Sequence, residues 1–281
     1  MSVYMIAEAG ACGDGKLELL MQQITEASVA GADAVKFQWT SDARMMSRRR
    51  GSAYKDGYED IYRRYLQWPV EWHRTLWNHC ELHGVDYMCA VYLPQDIATV
   101  APYVRHYKVS SFETNDAEFL RAHRSHISNA RLIVSTGLSN DAECRAITAT
   151  CDWLAPEQLV LLHCNSAYPT PLHDMHLLAI RRYADYGMRG YSDHTDPSHT
   201  MTGAYAVLAG AVYVEAHVRL SDRSVVSTDN PDVPHAMTPM QYTEYVRCTR
   251  EAVNILGVPT KHLTLSASNM KRYEVQKHSA I

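Results

Sequence analysis

Two histidines, His194 and His217, stand at the ends of short apolar runs: Arg189-Gly190-Tyr191-Ser192-Asp193-His194 and Ala211-Val212-Tyr213-Val214-Glu215-Ala216-His217. Residues 201–208 between them have a helical pattern, with Gly210 placed to stop it. Strand, helix and strand make a βαβ unit whose two strands lie parallel and side by side. Neighbouring strands are about 4.8 Å apart, so both imidazoles project from one edge within reach of a shared ion. Single histidines are common, and the chain carries fifteen. A pair at matching strand ends, flanked by Asp193 and Glu215, points instead to a divalent metal site. Imidazole with oxygen ligands suits Mn2+, Co2+, Fe2+ or Zn2+ about equally.

Other apolar runs end the same way. They close on Glu8, on Lys36 with Gln38, on Lys108 with Ser111 and Glu113, on Ser135 with Thr136, and on Asn165 with Ser166. One such residue is explained by a salt bridge or a cap. Seven strand ends carrying Lys, Glu, Ser and His describe the rim of an active site, because buried charge is costly unless paired or used. Two ammonium groups among hydroxyl donors (Lys36 and Lys108 with Ser111, Ser135 and Ser192) make a site for a dianion.

The elements that must position these residues are strands at 3–7, 34–38, 85–89, 106–109, 131–135 and 158–163, followed by the two histidine strands. Helical patterns span 17–30, 69–83, 95–103, 115–123, 140–151, 171–186 and 238–256. The strands are continuous apolar runs rather than alternating ones, as in parallel strands buried on both faces. Eight βα units over residues 1–257 predict a single (β/α)8 TIM barrel of the α/β class, with 258–281 as a C-terminal tail. An open doubly wound sheet is second, since no GxGxxG follows the first strand. Residues 41–60 read as a polar insertion, and its Arg48-Arg49-Arg50 run as a solvated loop.

Composition narrows the function. A net charge of −4 and no basic stripe argue against nucleic acid, and no apolar run reaches the ~20 residues of a membrane span. Met1-Ser2-Val3-Tyr4 runs straight into Glu8 with no signal-peptide pattern. Seven cysteines without CxxC spacing read as reduced cytoplasmic thiols.

Six motifs in register resemble the sialic acid synthase (N-acetylneuraminate synthase) family. They are Ile6-Ala7-Glu8-Ala9-Gly10, Gly31-Ala32-Asp33-Ala34-Val35-Lys36-Phe37-Gln38, Tyr107-Lys108-Val109-Ser110-Ser111-Phe112-Glu113, Ser135-Thr136-Gly137-Leu138-Ser139, Leu162-His163-Cys164-Asn165-Ser166-Ala167-Tyr168-Pro169 and Gly190-Tyr191-Ser192-Asp193-His194-Thr195. The resemblance implies condensation of phosphoenolpyruvate with an aldehyde, an N-acylated amino sugar such as N-acetylmannosamine, with release of phosphate. It implies Mn2+ or Mg2+ on His194 and His217, and proton transfer or water activation by Glu8 and Glu113. It assigns phosphate and carboxylate contacts to Lys36, Lys108, Ser111, Ser135 and Ser192. Sugar contacts fall to Gln38, Tyr168 and an aspartate that is either Asp232, which keeps a Pro-Asp pair, or Asp229, which keeps the distance from His217. The asparagine expected after the sixth strand aligns with Ser166, beside Asn165.

The chain also departs from the family pattern. Cys12-Gly13 stands for an Asn-His pair, and Cys89-Ala90-Val91-Tyr92 for Ser-Thr-Pro-Phe, which removes a hydroxyl at Ala90. The family's small C-terminal antifreeze-like domain is not expected within residues 258–281, which resemble only its linker. A metal-dependent aldolase or lyase that does not use phosphoenolpyruvate is therefore the competing reading, with a non-catalytic barrel third. A homodimer is expected, as the commonest symmetric assembly.

Overall fold

The computed structural model describes residues 2–50 and 57–257. Eight parallel strands follow one another round a closed barrel: β1 (Tyr4–Gly10), β2 (Ala34–Trp39), β3 (Asp86–Val91), β4 (His106–Val109), β5 (Arg131–Ser135), β6 (Leu159–His163), β7 (Met188–Asp193) and β8 (Tyr213–His217). β8 closes on β1 through the pairs Tyr4↔Tyr213 to Glu8↔His217. Each expected strand lies within a few residues of its place. The doubly wound alternative is excluded, because that sheet has two free edges and this one has none.

Side chains alternate between the two faces of each strand. The outward set, including Val35, Tyr87, Val109, Val134, Leu161 and Val214, packs under the helices in the main core. The inward set begins with an apolar floor of Ile6, Ala34, Met88, Ile133, Val160, Leu162 and Tyr213. Two residues further along, the inward positions are Glu8, Lys36, Lys108 on its shorter strand, Ser135, Ser192 and Glu215. The pairings Glu8↔Lys36 and Ser192↔Glu215 set them at one height. The period-two rule thus stacks charge directly on the floor, at the C-terminal ends of the strands.

The outer helices are α1 (Leu17–Val29), α2 (Ala43–Arg50), α3 (Tyr58–Tyr65), α4 (Trp72–His83), α5 (Pro94–Val100), α6 (Ala117–Ala122), α7 (Asp141–Thr150), α8 (Thr202–Ala209) and α9 (Pro239–Leu256). Their ends carry local signals. Asn140 with Glu143, and Thr238 with Gln241, close capping boxes on α7 and α9.

Two stretches differ from expectation. The described part of the insertion, 41–50 and 57–60, is not a solvated loop: it carries α2 and the start of α3. Ala43 and Met46 of α2 pack with Tyr62, Tyr65 and Leu66 against Ala11, Tyr92 and Leu93 in a cluster beside the barrel mouth. After β6, residues 171–186 form two 3-10 segments, Leu172–Asp174 and Leu177–Asp185, instead of one α-helix. His176 between them is left-handed (φ 44°), which an α-helix cannot pass through. The tail at 258–281 lies outside the described residues.

Candidate active site

A cavity of about 400 Å³ opens at the C-terminal end of the barrel. At its base Lys36 and Lys108, 4% and 2% exposed, come from β2 and β4 on either side of Ala90. Lys36 pairs closely with Glu8 and lies 3.4 Å from Glu215. Lys108 lies 3.8 Å from Glu215 and donates to Ser135 Oγ at 2.7 Å. Ser192 Oγ donates to Glu215 Oε1 at 2.8 Å. Burial would raise both carboxylates. At Glu215 the two ammonium groups and the Ser192 hydroxyl overcome it and hold the acid at about 2. At Glu8 burial prevails over Lys36, with Glu215 adding to the upward shift, so Glu8 takes up a proton first. Tyr92 Oη donates to Gln38 Oε1 at 2.7 Å, and Gln38 Nε2 donates to Glu8 Oε1 at 3.0 Å. That chain fixes the orientation of the Gln38 amide. Lys108 is held below the ordinary lysine range by burial, against the pull of Glu215.

The second wall holds the histidines. His194 Nδ1 lies 2.5 Å from the Asn165 carbonyl, which can only accept, so Nδ1 carries the proton and the Nε2 lone pair faces the cavity. Nε2 lies 3.0 Å from Tyr168 Oη and 3.3 Å from Ser192 Oγ. The His194 and His217 ring centres are 5.6 Å apart. Burial lowers His194 to about 3, with His217 adding to the shift. Burial also lowers His217 to about 4, against the attraction of Asp232. Both are therefore neutral, as metal ligation requires. Asp193 is spoken for elsewhere. It accepts from Thr195 N at 2.9 Å and Tyr245 Oη at 3.0 Å, and from the Thr202 hydroxyl, tying β7 to α8 and α9.

Over the opposite rim lies Arg50, the last residue of α2. Its guanidinium makes a two-pronged contact with Glu113, at 2.9 and 3.1 Å, and lies 4.7 Å from the ring centres of both Tyr92 and Phe112. The Ser110 hydroxyl donates to the same carboxylate.

Comparison with known proteins decides what this barrel is. A family model described as the NeuB family matches residues 23–261. The chain belongs to the NeuB family. The chain is 31% identical over 268 residues to a pseudaminic acid synthase of Campylobacter jejuni, covering 91% of this chain and 75% of that one. It is 29% identical to the N,N'-diacetyllegionaminic acid synthase of Legionella pneumophila, covering 92% and 74% respectively. In fold it is similar to an N-acetylneuraminic acid synthetase of Leptospira borgpetersenii solved with citrate. That match has a TM-score of 0.84 and 23% identity, and covers 97% of this chain and 91% of that one.

Within this NeuB-family barrel, eleven residues singled out from sequence line the cavity: Lys36, Gln38, Lys108, Ser111, Ser135, Ser166, Tyr168, Ser192, His194, His217 and Asp232. Four do not. Glu8 lies beneath the base, and Glu113 beneath Arg50. The Asn165 side chain accepts from Ala167 N at 2.8 Å and caps its own turn. Asp229 pairs with Arg64 at 2.9 Å on the surface, 66% exposed, whereas Asp232 accepts from Ala11 N at 2.7 Å inside the mouth. Gly10 makes that approach feasible, since a Cβ there would lie 2.1 Å from Asp232 Oδ2 and its φ is +49°.

Sequence reasoning set Glu215 beside His217 at the strand ends without giving it a role, and missed Arg50, Tyr92 and His235; all four line the cavity. Only Glu215 carried a usable signal, sitting two residues before His217 on the same strand face.

Proposed function

We propose that this chain condenses phosphoenolpyruvate with the aldehyde carbon of an open-chain N-acylated amino sugar, forming a carbon–carbon bond and releasing phosphate. The observation that carries this reading is the pair of buried lysines at the base of one cavity. Among the described residues only Glu8 and Glu215 pair with them, and Ser111, Ser135, Ser166 and Ser192 line the same cavity. Burial pushes Glu8 up against the pull of Lys36, and the two ammonium groups among hydroxyl donors suit an anionic substrate. Gly137 opens the wall behind these hydroxyls. Its N–H reaches Ser111 Oγ at 3.1 Å, and a Cβ there would lie 2.5 Å from Ser166 Oγ.

Lys36, Lys108 and the serines hold the phosphate and carboxylate. Gln38, Tyr168 and Asp232 face the sugar. Glu8 moves a proton at the base of the cavity, and Glu113 acts through Arg50 as a positioning residue. The donor set fits a divalent ion, because His217 Nδ1 is a buried nitrogen with no hydrogen-bond partner and the His194 lone pair points inward. His194 and His217 would hold Mn2+ or Mg2+, which when bound polarises the aldehyde oxygen as a Lewis acid. Phosphate is expected to appear only when phosphoenolpyruvate, a suitable amino-sugar aldehyde and a divalent ion are all present. If calorimetry on the metal-loaded protein finds no phosphoenolpyruvate binding, the aldolase or lyase chemistry replaces this reading.

The same reading includes a homodimer working in the cytoplasm. All seven cysteines are buried and unpaired, which fits a reducing compartment. No helix of the described residues is long and apolar enough to cross a membrane. Light scattering is expected to give twice the chain mass, and a fully active monomer would contradict it.

A further inference from the structure

On the outside of the barrel, two histidines of one helix face a single hydroxyl of its neighbour. His79 and His83 stand four residues apart on α4, so both project from the same face of that helix. Their ring centres are 4.6 Å apart. Both turn Nε2 towards Thr25 Oγ1 of α1, at 3.1 Å from His79 and 3.3 Å from His83. Both residues are partly exposed, within reach of an ion in solvent.

Hydrogen bonds alone serve this cluster poorly. The Thr25 hydroxyl has one proton, and the Met21 carbonyl at 3.3 Å competes for it, so it reaches at most one of the two imidazoles. Ser28 Oγ gives its own proton to the Thr25 carbonyl at 2.8 Å and lies 3.4 Å from His83 Nδ1. Contacts of 3.3 and 3.4 Å exceed the usual hydrogen-bond range. An ion suits the spacing better. Two ligands bonded at about 2.1 Å stand about 3.0 Å apart at a right angle and about 3.4 Å apart at the tetrahedral angle. The two contacts to Thr25 fall between these limits. The surroundings favour a cation as well. Thr25 and Ser28 lie near the C-terminal end of α1, and His83 is the last residue of α4, so the negative ends of two helices lie beside the site. Burial, with His83 adding to it, lowers His79 from its ordinary 6.5 against the Met21 carbonyl, so His79 is neutral at pH 7 and keeps a lone pair.

We propose that His79 and His83 hold a divalent ion against the Thr25 hydroxyl, at a site distinct from the His194 and His217 pair, and that this ion clamps α4 to α1. Imidazole ligands select Zn2+, Ni2+ or Cu2+ over Mg2+ and Ca2+, which prefer oxygen. Water completes the shell. Both helices end a few residues before the next strand begins, at the face of the barrel opposite the cavity. The site therefore takes no part in the proposed reaction. Its effect is on stability, because an ion bound only by the folded chain shifts the folding equilibrium by mass action.

The test is a Ni2+ titration of the full chain, read by calorimetry and by thermal unfolding, neither of which needs turnover. His79→Ala and His83→Ala are each expected to bind one Ni2+ fewer than wild type, or to bind it at least tenfold more weakly. The rise in Tm that Ni2+ gives the wild type is expected to shrink in both. His83→Gln serves as a second variant, should His83→Ala fold poorly, and is expected to lose the same ion. His217→Ala is expected to keep it. If all three α4 variants bind as many Ni2+ ions as wild type, with unchanged affinity, the proposal fails and the pair is only a hydrogen-bonded helix contact. Loss of every bound Ni2+ in a folded His217→Ala protein would overturn it equally.

Discussion

Lys108 is the residue on which the anion site depends most. Lys36 is already matched by Glu8 at close range, whereas Lys108 donates to the Ser135 hydroxyl and meets Glu215 only at 3.8 Å. Its charge is therefore the more available to a ligand. Lys108→Met is expected to weaken phosphoenolpyruvate binding by well over ~1.5 kcal/mol, the low end for a hydrogen bond to a charged group. Calorimetry on the metal-loaded protein reads this directly, and an unchanged affinity would remove Lys108 from the site. Glu8→Gln keeps the contact from Gln38 while deleting the titrating group. A loss of about 10²–10⁴-fold in turnover is expected for a proton-transfer residue, and a loss of only a few-fold would leave Glu8 as a counter-ion for Lys36. Most of this site was legible because strand ends display their inward residues at fixed spacing. His235 was not. A histidine in an irregular loop has no period to betray its direction, and the contacts of Asp232 and Asn230 with Ala11 bring that loop into the mouth.

At the scale of elements, the barrel itself was readable because eight apolar runs and their helix stops follow one another without interruption. The helix α2 was not readable. Its sequence, Ala43-Arg44-Met45-Met46-Ser47-Arg48-Arg49-Arg50, offers only Ala43 and Met46 to a core. Three consecutive arginines look like a solvated surface until their partners are known. Those partners come from elsewhere in the chain: Glu113 after β4, Tyr92 after β3, and Asp116 for Arg49. Arg50 thus belongs to the rim of the cavity rather than to solvent. Lysine cannot replace it, because an ammonium makes neither the two-pronged contact with Glu113 nor the planar stacking on Tyr92 and Phe112. Arg50→Lys is expected to raise KM for the anionic substrate about tenfold or more with a smaller change in kcat. Steady-state kinetics with each substrate varied in turn would show it. Unchanged KM values would return the arginine to a structural role.

The whole molecule's stability carries a pH signature set by histidines far from the cavity. His73 is enclosed by Trp39 and Trp68, each with its ring centre 4.6 Å away, and its Nε2 has no partner. His123 is fully buried, spends Nδ1 on the Phe119 carbonyl at 2.9 Å, and likewise leaves Nε2 unmet. Burial lowers each of them to about 4 from the ordinary value of 6.5. A histidine whose folded value is depressed stays neutral in the folded protein while the unfolded chain takes up a proton. Between pH 6.5 and 4 the unfolded state therefore binds more protons, and acid favours unfolding. Above pH 7 both states are neutral at these sites and their contribution is constant. Urea denaturation is thus expected to give a steady midpoint from pH 7 to 8 and a falling one below 6.5. Each histidine contributes a slope approaching ~1.4 kcal/mol per pH unit. Other buried groups titrate in the same window, so the decisive quantity is a difference between two proteins. His123→Gln keeps a donor for the Phe119 carbonyl and removes the titration, and it should flatten the acid limb relative to wild type whatever it does to stability at pH 7.5. An acid limb of unchanged slope in that variant would show that His123 takes up its proton as readily in the folded barrel as in the open chain.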